Sequence, residues 1–219
     1  MFFFKRIKPE DRRNWLYDGL ASYCNTNGFT LLPHKNQFRK RTELGFQTII
    51  LSTSHYDKTT VFELHVGIRN QVIEKTAFQF TNGLPLFQRD SMSLVTAIGK
   101  LEGQPYQRYD IVKKEDAEKA VEKVTEQLER FGRNWLEQHQ SMASIHQLLN
   151  QLPLVKTPYM PNQIYRCFRG LVAARLVNSN NYEMIEKEYN VFLQKLSAPD
   201  YQLSIWDRLK IFLNNNSAN

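Results

Sequence analysis

The histidines of this chain are not spaced to hold a metal ion. A zinc pair on a helix needs two histidines three or four residues apart, so that both rings lie on one face. His139 and His146 are separated by two helical turns, and the other three are more isolated: His34, His55 and His65. We therefore expect no metal site.

The common short motifs for phosphate binding and covalent catalysis are also missing. The sequence contains no GxxxxGK[ST] or GxGxxG segment, in which glycines let backbone N–H groups approach phosphates. It contains no GxSxG or HExxH segment either, which would place a serine nucleophile or a zinc pair. We expect no cofactor, and the pattern favours a protein that is not an enzyme.

Two carboxylates and a cysteine are the remaining candidates for catalysis. A magnesium nuclease gathers carboxylates around the ion, often with a lysine two residues after one of them. Asp57 and Glu63 flank a predicted strand, but His65 occupies the lysine position. Cys167, like Cys24, is typical of a small core residue. An unrecognised hydrolase or nuclease stays open as an alternative.

The most suggestive chemistry lies in a short basic strand, residues 37–41, which read QFRKR. Strand alternation puts Arg39 and Arg41 on one face and Phe38 and Lys40 on the other. Arginine presents a planar fork that pairs with carboxylates or phosphates. Nearby aromatic rings could also stack bases. Charged residues of this kind can instead protect an edge strand from aggregation.

The net charge of +7 is concentrated at the same end of the chain. Residues 1–41 contain nine Lys/Arg against three acids, a net of +6, whereas the other 178 residues have a net charge of +1. Such asymmetry marks an acidic-partner or nucleic-acid surface, or a solvated face. We expect Arg39, Arg41, Lys40 and Phe38 to bind a protein with an acidic surface, with nucleic acid as the alternative partner.

The hydrophobic pattern predicts a cytoplasmic protein. No apolar run approaches the about 20 residues that a membrane helix needs, so we expect no membrane association. Only four apolar residues open the chain before Lys5 and Arg6, where a signal peptide would continue its apolar region. The two cysteines belong to no CxxC pair, which fits a reducing compartment.

Proline, glycine and periodicity divide the chain into elements. Pro9 and Gly28 predict the start and end of a first helix, since proline suits the first helical position and glycine accepts a left-handed conformation at a helix end. Period-two alternation predicts strands. The predicted strands are 29–32, 37–41, 46–52, 60–68, 94–98 and 106–112. Residues 70–92 predict a connector with about one helical turn.

A long helix follows at 114–139, with an apolar stripe of Ala117, Val121, Val124, Leu128, Phe131 and Trp135. We expect this stripe to pack on the sheet. Further helices follow, the last of them capped by Ser204. Strands grouped together and joined by short turns predict an α+β fold, with an N-terminal helix, an antiparallel sheet of five or six strands, the long helix and a C-terminal helical bundle.

Three prolines interrupt the helical pattern between residues 152 and 161. They are Pro153, Pro158 and Pro161, and proline is not tolerated in a helix interior. The segment is thus a candidate linker. It predicts an α+β sheet domain at 1–150 and a helical C-terminal subdomain at 151–219.

The order of elements over residues 10–140 resembles an uncharacterised bacterial family, one of the domains of unknown function sometimes met near toxin–immunity gene clusters. The similar features are the helix that ends at Asn27-Gly28-Phe29, the basic strand, the alternating strand at 62–68 and the long helix after 115–118. The resemblance implies a scaffold without a catalytic signature. It favours a non-enzymatic binding protein, immunity-like or regulatory, that binds another protein.

Overall fold

The computed structural model describes residues 7–81 and 83–216. The first half contains α1 (Pro9–Thr26), β1 (Thr30–Leu32), β2 (Gln37–Thr42), β3 (Gly45–His55), β4 (Thr60–Asn70), α2 (Gln71–Phe78), β5 (Leu94–Ala97), α3 (Ile98–Leu101) and β6 (Tyr109–Ile111). The second half contains α4 (Lys114–Gln127), a π turn (Leu128–Gly132), α5 (Arg133–Gln138), α6 (Met142–Asn150), α7 (Gln163–Leu176), α8 (Tyr182–Lys195) and α9 (Asp200–Asn215).

The described strands form one six-stranded sheet in the order β1-β2-β3-β4-β5, with β6 also paired to β4. β1 runs antiparallel to β2, and β6 runs antiparallel to β4 with Val61 opposite Asp110. The predicted α+β fold, with an N-terminal helix, an antiparallel sheet and several following helices, is confirmed.

Contacts between Cα atoms group the described chain into two compact units. The first unit holds the described residues up to Thr42, with Phe46–Gly67 and Ala97–Glu137. The second holds Glu43–Gly45, Ile68–Thr96 and the chain from Gln138 onward. The predicted domain boundary after residue 150 stays a prediction, because residues that pack together in one unit need not form a segment that folds alone.

In the first unit, the helices and the sheet share an apolar core. Leu16 and Leu20 of α1 are fully buried, as are Phe62, Leu64 and Val66 of β4. The period-two pattern of β4 is therefore confirmed. At the contact between α1 and α4 a Cβ on Gly19 would lie 2.8 Å from a methyl carbon of Val121, so glycine allows the close approach of the two helices.

The predicted long helix forms, but it is interrupted by the π turn at Leu128–Gly132. A π turn adds one residue to a helical turn, so the positions after it are rotated. Within the turn, Phe131 of the predicted stripe is only half-buried, and after it Leu136, outside the predicted stripe, is buried. Before the turn, Val121 is half-buried and Ala120 is buried. The helix docks on the sheet through the side-chain amide of Gln47, which donates to the Leu136 carbonyl at 2.8 Å.

In the second unit, α7 is the central helix, buried continuously from Arg166 to Ala174. Aromatic side chains of α8 and α9 pack beside it. The Trp206 ring lies 5.4 Å from the Phe168 ring and 6.3 Å from the Tyr189 ring, both in edge-on geometry. Helices after residue 138 thus form a bundle around α7.

Arg166 of α7 is 1% exposed, and its guanidinium caps the end of α6. Nε and Nη2 donate to the Leu149 carbonyl at 2.9 and 2.7 Å, and Nη2 also donates to the Leu152 carbonyl at 2.9 Å. Nη1 donates to the Val155 carbonyl. The last carbonyls of a helix lack partners and carry partial negative charge. The Arg166 guanidinium therefore gives these carbonyls hydrogen-bond donors and places a positive charge beside their partial negative charge.

The segment after α6 is therefore not a free linker. Besides the bonds from Arg166, the Tyr159 carbonyl accepts from the Val95 amide at 2.8 Å. The side chain of Gln163 bonds both the amide and the carbonyl of Thr157. The prolines at 153, 158 and 161 exclude a helix here. Hydrogen bonds from Arg166, Val95 and Gln163 nevertheless hold the segment in place.

A buried ion pair joins α2 to α7. Nε and Nη2 of Arg169 donate to the two carboxylate oxygens of Glu74 at 2.7 and 2.9 Å, and Glu74 is 0% exposed. Ser93 donates to the same carboxylate at 3.0 Å. Burial alone raises the pKa of Glu74, but the charge of Arg169 and these hydrogen bonds outweigh it and lower that pKa.

Other expectations need correction. Residues 70–92 include the two-turn helix α2 instead of one turn, because the Asn70 side chain accepts from the amides of Val72 and Ile73 and caps it. The strand expected at 106–112 is confined to Tyr109–Ile111. Ser204 lies inside α9, which begins at Asp200. The frayed tail that the polar run at 214–219 predicts is helical up to Asn215, where α9 ends. Residues 217–219, Asn82 and residues 1–6, including Lys5 and Arg6, lie outside the described residues.

We expect Arg166→Met to lower the free energy of unfolding by about 3 kcal/mol, because it removes charge-assisted hydrogen bonds and leaves buried carbonyls without donors. Urea denaturation measures this loss. Limited proteolysis should then cut faster within residues 152–161. The exposed Arg208→Met is the control, and equal stability of the two variants would contradict the capping role.

We expect Glu74→Gln to cost about 3–5 kcal/mol, because it leaves the Arg169 charge buried without its counter-charge. The double variant Glu74→Leu/Arg169→Met should recover most of this loss, since it buries no charge. Chemical denaturation of both variants and the parent provides the comparison. A double variant as unstable as the single one would show that shape, not charge, dominates.

The same pair predicts a direction for acid sensitivity. Because the pKa of Glu74 is lowered below its ordinary value of 4.5 in the folded state, its contribution is fully present above pH 4.5 and is lost as the pH falls through the lowered pKa. The parent should therefore lose stability more steeply than Glu74→Leu/Arg169→Met on acidification below pH 4.5.

Candidate partner-binding groove

The basic strand lies in a small hairpin at the start of the sheet. In this hairpin β1 pairs with β2, with Thr30 opposite Arg39 and Leu32 opposite Gln37. The connection is a short 3₁₀ turn that ends at Asn36, in the left-handed region at φ 51°. The hydroxyl of Tyr17 on α1 donates to the Asn36 side chain at 2.6 Å. The hairpin is therefore tied to the core by α1.

One face of this hairpin carries a groove of about 640 Å³. We call it the basic groove, and it is lined by Gly28, Thr30, Leu32, Arg39, Lys40 and Arg41. Three of these six residues are cations and none is an acid. Opposite residues of an antiparallel pair share a face, so Thr30 and Arg39 stand side by side in it.

Arg39 is held in place by an aromatic ring. Its guanidinium carbon lies 3.8 Å from the centre of the Phe46 ring, and Phe46 is only 6% exposed. Cation–π attraction of this kind is worth about 0.5–2 kcal/mol. Arg39 is half-buried, whereas Arg41 is exposed. The first arginine is positioned by the protein and the second extends into solvent.

Lys40 lies against Phe29, with its ammonium nitrogen 5.8 Å from the ring centre. A Cβ on Gly28 would lie 3.6 Å from the Lys40 side chain, so this lysine borders the end of the groove. Lys40 also borders a second, small cavity with Gln47 and Ile49. Its stem therefore lies towards the other side of the sheet from the two arginines.

Phe38, the fourth residue expected at the surface, is 0% exposed. Its ring meets the Tyr17 ring edge-on at 6.4 Å, and its carbonyl accepts a hydrogen bond from Thr48 at 3.0 Å. Its alternation with Arg39 places it in the apolar core between α1 and the sheet. We therefore remove Phe38 from the candidate site and keep Arg39, Lys40 and Arg41.

Another cavity differs from the basic groove in the charge of its lining. It has a volume of about 550 Å³ in the second unit, and its lining includes Arg175 and Lys187 together with Glu183 and Glu186. Arg175 stacks on the Tyr182 ring at 3.8 Å. Opposite charges balance there, whereas the charged residues that line the basic groove are all positive.

Glu63 and His65, two of the candidates for catalysis, lie on strand β4. Glu63 and His65 share the outer face of β4 with ring nitrogen and carboxylate oxygen 4.0 Å apart, and Arg108 lies 3.5 Å from Glu63. Burial, Lys100 and Arg108 lower the pKa of His65 against the opposing charge of Glu63. The described residues contain no group of three or more His, Cys, Asp or Glu side chains that could hold a metal ion.

Both cysteines lie in the core. Burial raises the pKa of the Cys24 thiol to about 12, and burial raises that of Cys167 to about 12 despite the opposing charge of Arg166. A nucleophilic cysteine needs a lowered pKa and access to solvent. Neither thiol has these properties.

Comparisons with known proteins give no relative. No family model matches the chain, and neither the curated proteins nor the solved structures contain a match. The family resemblance therefore stays a prediction. No helix in the described part of the chain is long and apolar enough to cross a membrane. Fold and site define this chain as an α+β protein with a basic groove on a hairpin of its sheet.

Sequence reasoning missed the two buried arginines of α7. Arg166 and Arg169 are one helical turn apart within the run RCFRG, whose neighbours are apolar. Charged residues are almost never fully buried unless paired, so position alone predicts exposure. Gly170 was the available sequence signal, because a glycine inside a helical pattern often marks close packing. In the structure a Cβ at this position would collide with the Tyr189 hydroxyl and the Asn150 side chain.

The stacking on Phe46 predicts different costs for the two arginines of the groove. Arg39→Gln should lower the free energy of unfolding by about 1 kcal/mol, because it removes the cation from the ring. Arg41→Gln should stay within about 0.5 kcal/mol of the parent, as exposed substitutions do. Urea denaturation distinguishes them, and equal effects would mean that the stack does not stabilise the fold.

Proposed function

We propose that the protein is a non-enzymatic binding protein whose basic groove binds an acidic surface of another protein. The observation that carries this proposal is the lining of the groove, which includes Arg39, Arg41 and, at its border, Lys40, and which includes no acidic residue. Charge complementarity of this kind accelerates association and selects against partners of the wrong sign.

The arginines supply the geometry of recognition. A guanidinium presents parallel N–H donors that match a carboxylate. Because Arg39 already rests on Phe46, less side-chain freedom is lost when it binds. Arg41 is exposed and can adapt to the partner. The groove thus combines a fixed donor with a mobile one.

The aromatic residues favour a protein partner over single-stranded nucleic acid. Proteins that bind single strands offer exposed aromatic faces for base stacking. The aromatic residues nearest these cations, Phe29, Phe38 and Phe46, are all buried, and the face of Phe46 is covered by Arg39. The phosphate-binding alternative remains an outcome of the test below.

The biological setting belongs to the same proposal. The resemblance to a bacterial family met near toxin–immunity clusters supports an immunity-like or regulatory role. It also supports a bacterial, cytoplasmic protein. In such a role the acidic partner would be another protein whose activity the binding controls.

The test is a charge reversal with a matched control. A tagged parent protein recovers candidate partners from a bacterial lysate, and each purified partner is then titrated against Arg39→Glu/Arg41→Glu. We expect at least a tenfold loss of affinity, chiefly through slower association. The control Lys119→Glu/Lys195→Glu changes two exposed lysines elsewhere and alters net charge equally, so it should bind as the parent does.

Nucleic acid is tested in parallel with a 20-nucleotide single-stranded DNA and its RNA equivalent at two salt concentrations. Phosphate-driven binding weakens steeply with salt. One result to look for is that either oligonucleotide binds tightly in a salt-sensitive way and loses this binding in Arg39→Glu/Arg41→Glu. That result would show that the partner of the basic groove is a nucleic acid and not an acidic protein. Equal partner binding by parent and charge-reversed variant would place the site elsewhere.

A further inference from the structure

Among the described strands, the basic groove lies beside an edge of the sheet. β1 stands at the end of the strand order and pairs on one side with β2. Among the described residues, the backbone hydrogen bonds of turns and loops include none to Thr30, Leu31 or Leu32. A strand at the edge of a sheet has a row of backbone donors and acceptors that can pair with another chain.

The residues of this edge strand are partly exposed. Thr30 is exposed, and Leu31 and Leu32 are half-buried. Natural edge strands are often protected by charge, but the charges here stand one strand further in, on β2. Thr30 contributes only a short side chain to the groove, and Gly28 contributes none. The backbone of β1 is therefore accessible while the cations lie behind it.

We infer that the acidic partner binds as an extended segment that adds a strand to β1 and places carboxylates over the basic groove. This inference rests on the proposed function and specifies its binding mode. Neighbouring strands lie about 4.8 Å apart, so the backbone of an added strand would lie about 10 Å from that of β2.

An arginine side chain and a glutamate side chain together span that distance. Because Gly28 has no side chain and that of Thr30 is short, the space between the arginine and the glutamate stays open. Since side chains of a strand alternate between faces, acidic residues at every second position would all point over the groove. The ligand is thus an extended peptide with carboxylates two residues apart.

Specificity would come from two separate interactions. Backbone pairing to β1 supplies affinity that does not depend on side chains, as in other cases of strand addition. Arg39 and Arg41 select the sign of the charge. Leu32, half-buried at one end of the groove, offers an apolar contact to the segment. These parts can be removed one at a time.

The test uses three synthetic nine-residue peptides and the full chain. The first alternates glutamate with valine, the second has the same side chains with its five central backbone nitrogens methylated, and the third replaces each glutamate by lysine. We expect the first to bind, the second to bind at least tenfold more weakly and the third not to bind. Methylation removes N–H donors from both edges of the peptide and keeps its charge.

Hydrogen exchange provides the second measurement. Saturation with the acidic peptide should slow exchange at least tenfold for those backbone amides of residues 30–32 that face away from β2, because alternate residues of a strand direct their N–H groups to opposite sides and the outward ones become paired. Arg39→Glu/Arg41→Glu should lose at least tenfold in peptide affinity, whereas Lys119→Glu/Lys195→Glu should match the parent.

The outcomes separate the two proposals. If the methylated peptide binds within twofold of the acidic one, or if exchange at residues 30–32 is unchanged on binding, strand addition is overturned and the proposed function stands. If acidic peptides bind the parent and Arg39→Glu/Arg41→Glu equally, the basic groove is not the site and both fall. Absence of any acidic-peptide binding at about 1 mM overturns strand addition, and the purified partner then decides the proposed function.

Discussion

The second unit depends on how two buried arginines of one helix are neutralised. Removing a charged side chain from water costs several kcal/mol, and α7 carries two such groups one turn apart. Arg169 forms an ion pair with the carboxylate of Glu74, and Arg166 donates hydrogen bonds to the Leu149 carbonyl at the end of α6. Both solutions fix the position of a neighbouring element, because a guanidinium must meet its acceptors at defined distances and angles. The ion pair sets the position of α2, and the capping arginine sets that of α6 and of the segment after it.

These polar contacts extend into the strands of the same unit. Ser93 donates to Glu74 and accepts from the backbone amide of Asn70, and the side chain of Asn70 caps α2. A chain of hydrogen bonds therefore joins a strand end, a helix start and a buried ion pair. Low local dielectric strengthens such a network when every member is satisfied and penalises it when one is missing.

The sequence predicted those elements whose stability comes from repetition. Alternation over residues 60–68 was sufficient to predict β4, and Pro9 and Gly28 were sufficient to predict the ends of α1. An element that buries one face repeats its apolar residues at a regular spacing, and this spacing is visible in the sequence. Single interactions were not predictable in this way. Helix α2 depends on one capping asparagine, and the burial of Arg166 and Arg169 depends on acceptors that are distant in sequence. At the candidate site, alternation placed Arg39 and Arg41 together, but it could not show that Phe46 supports one of them or that Phe38 belongs to the core.

The π turn between α4 and α5 has a consequence for how the chain can change. Each residue of an α-helix advances about 100° around the axis, so one residue added to a regular helix would turn everything after it by about that angle. The wider turn at Leu128–Gly132 holds its extra residue within the turn, so Trp135 and Leu136 still reach the core and the Leu136 carbonyl still meets Gln47. Deleting one residue inside this turn would restore a regular helix and leave α5 close to its present orientation, whereas deleting one from α4 would turn the positions after it by about 100°. The chain can therefore lose a residue more readily within this turn than in the regular helix on either side of it.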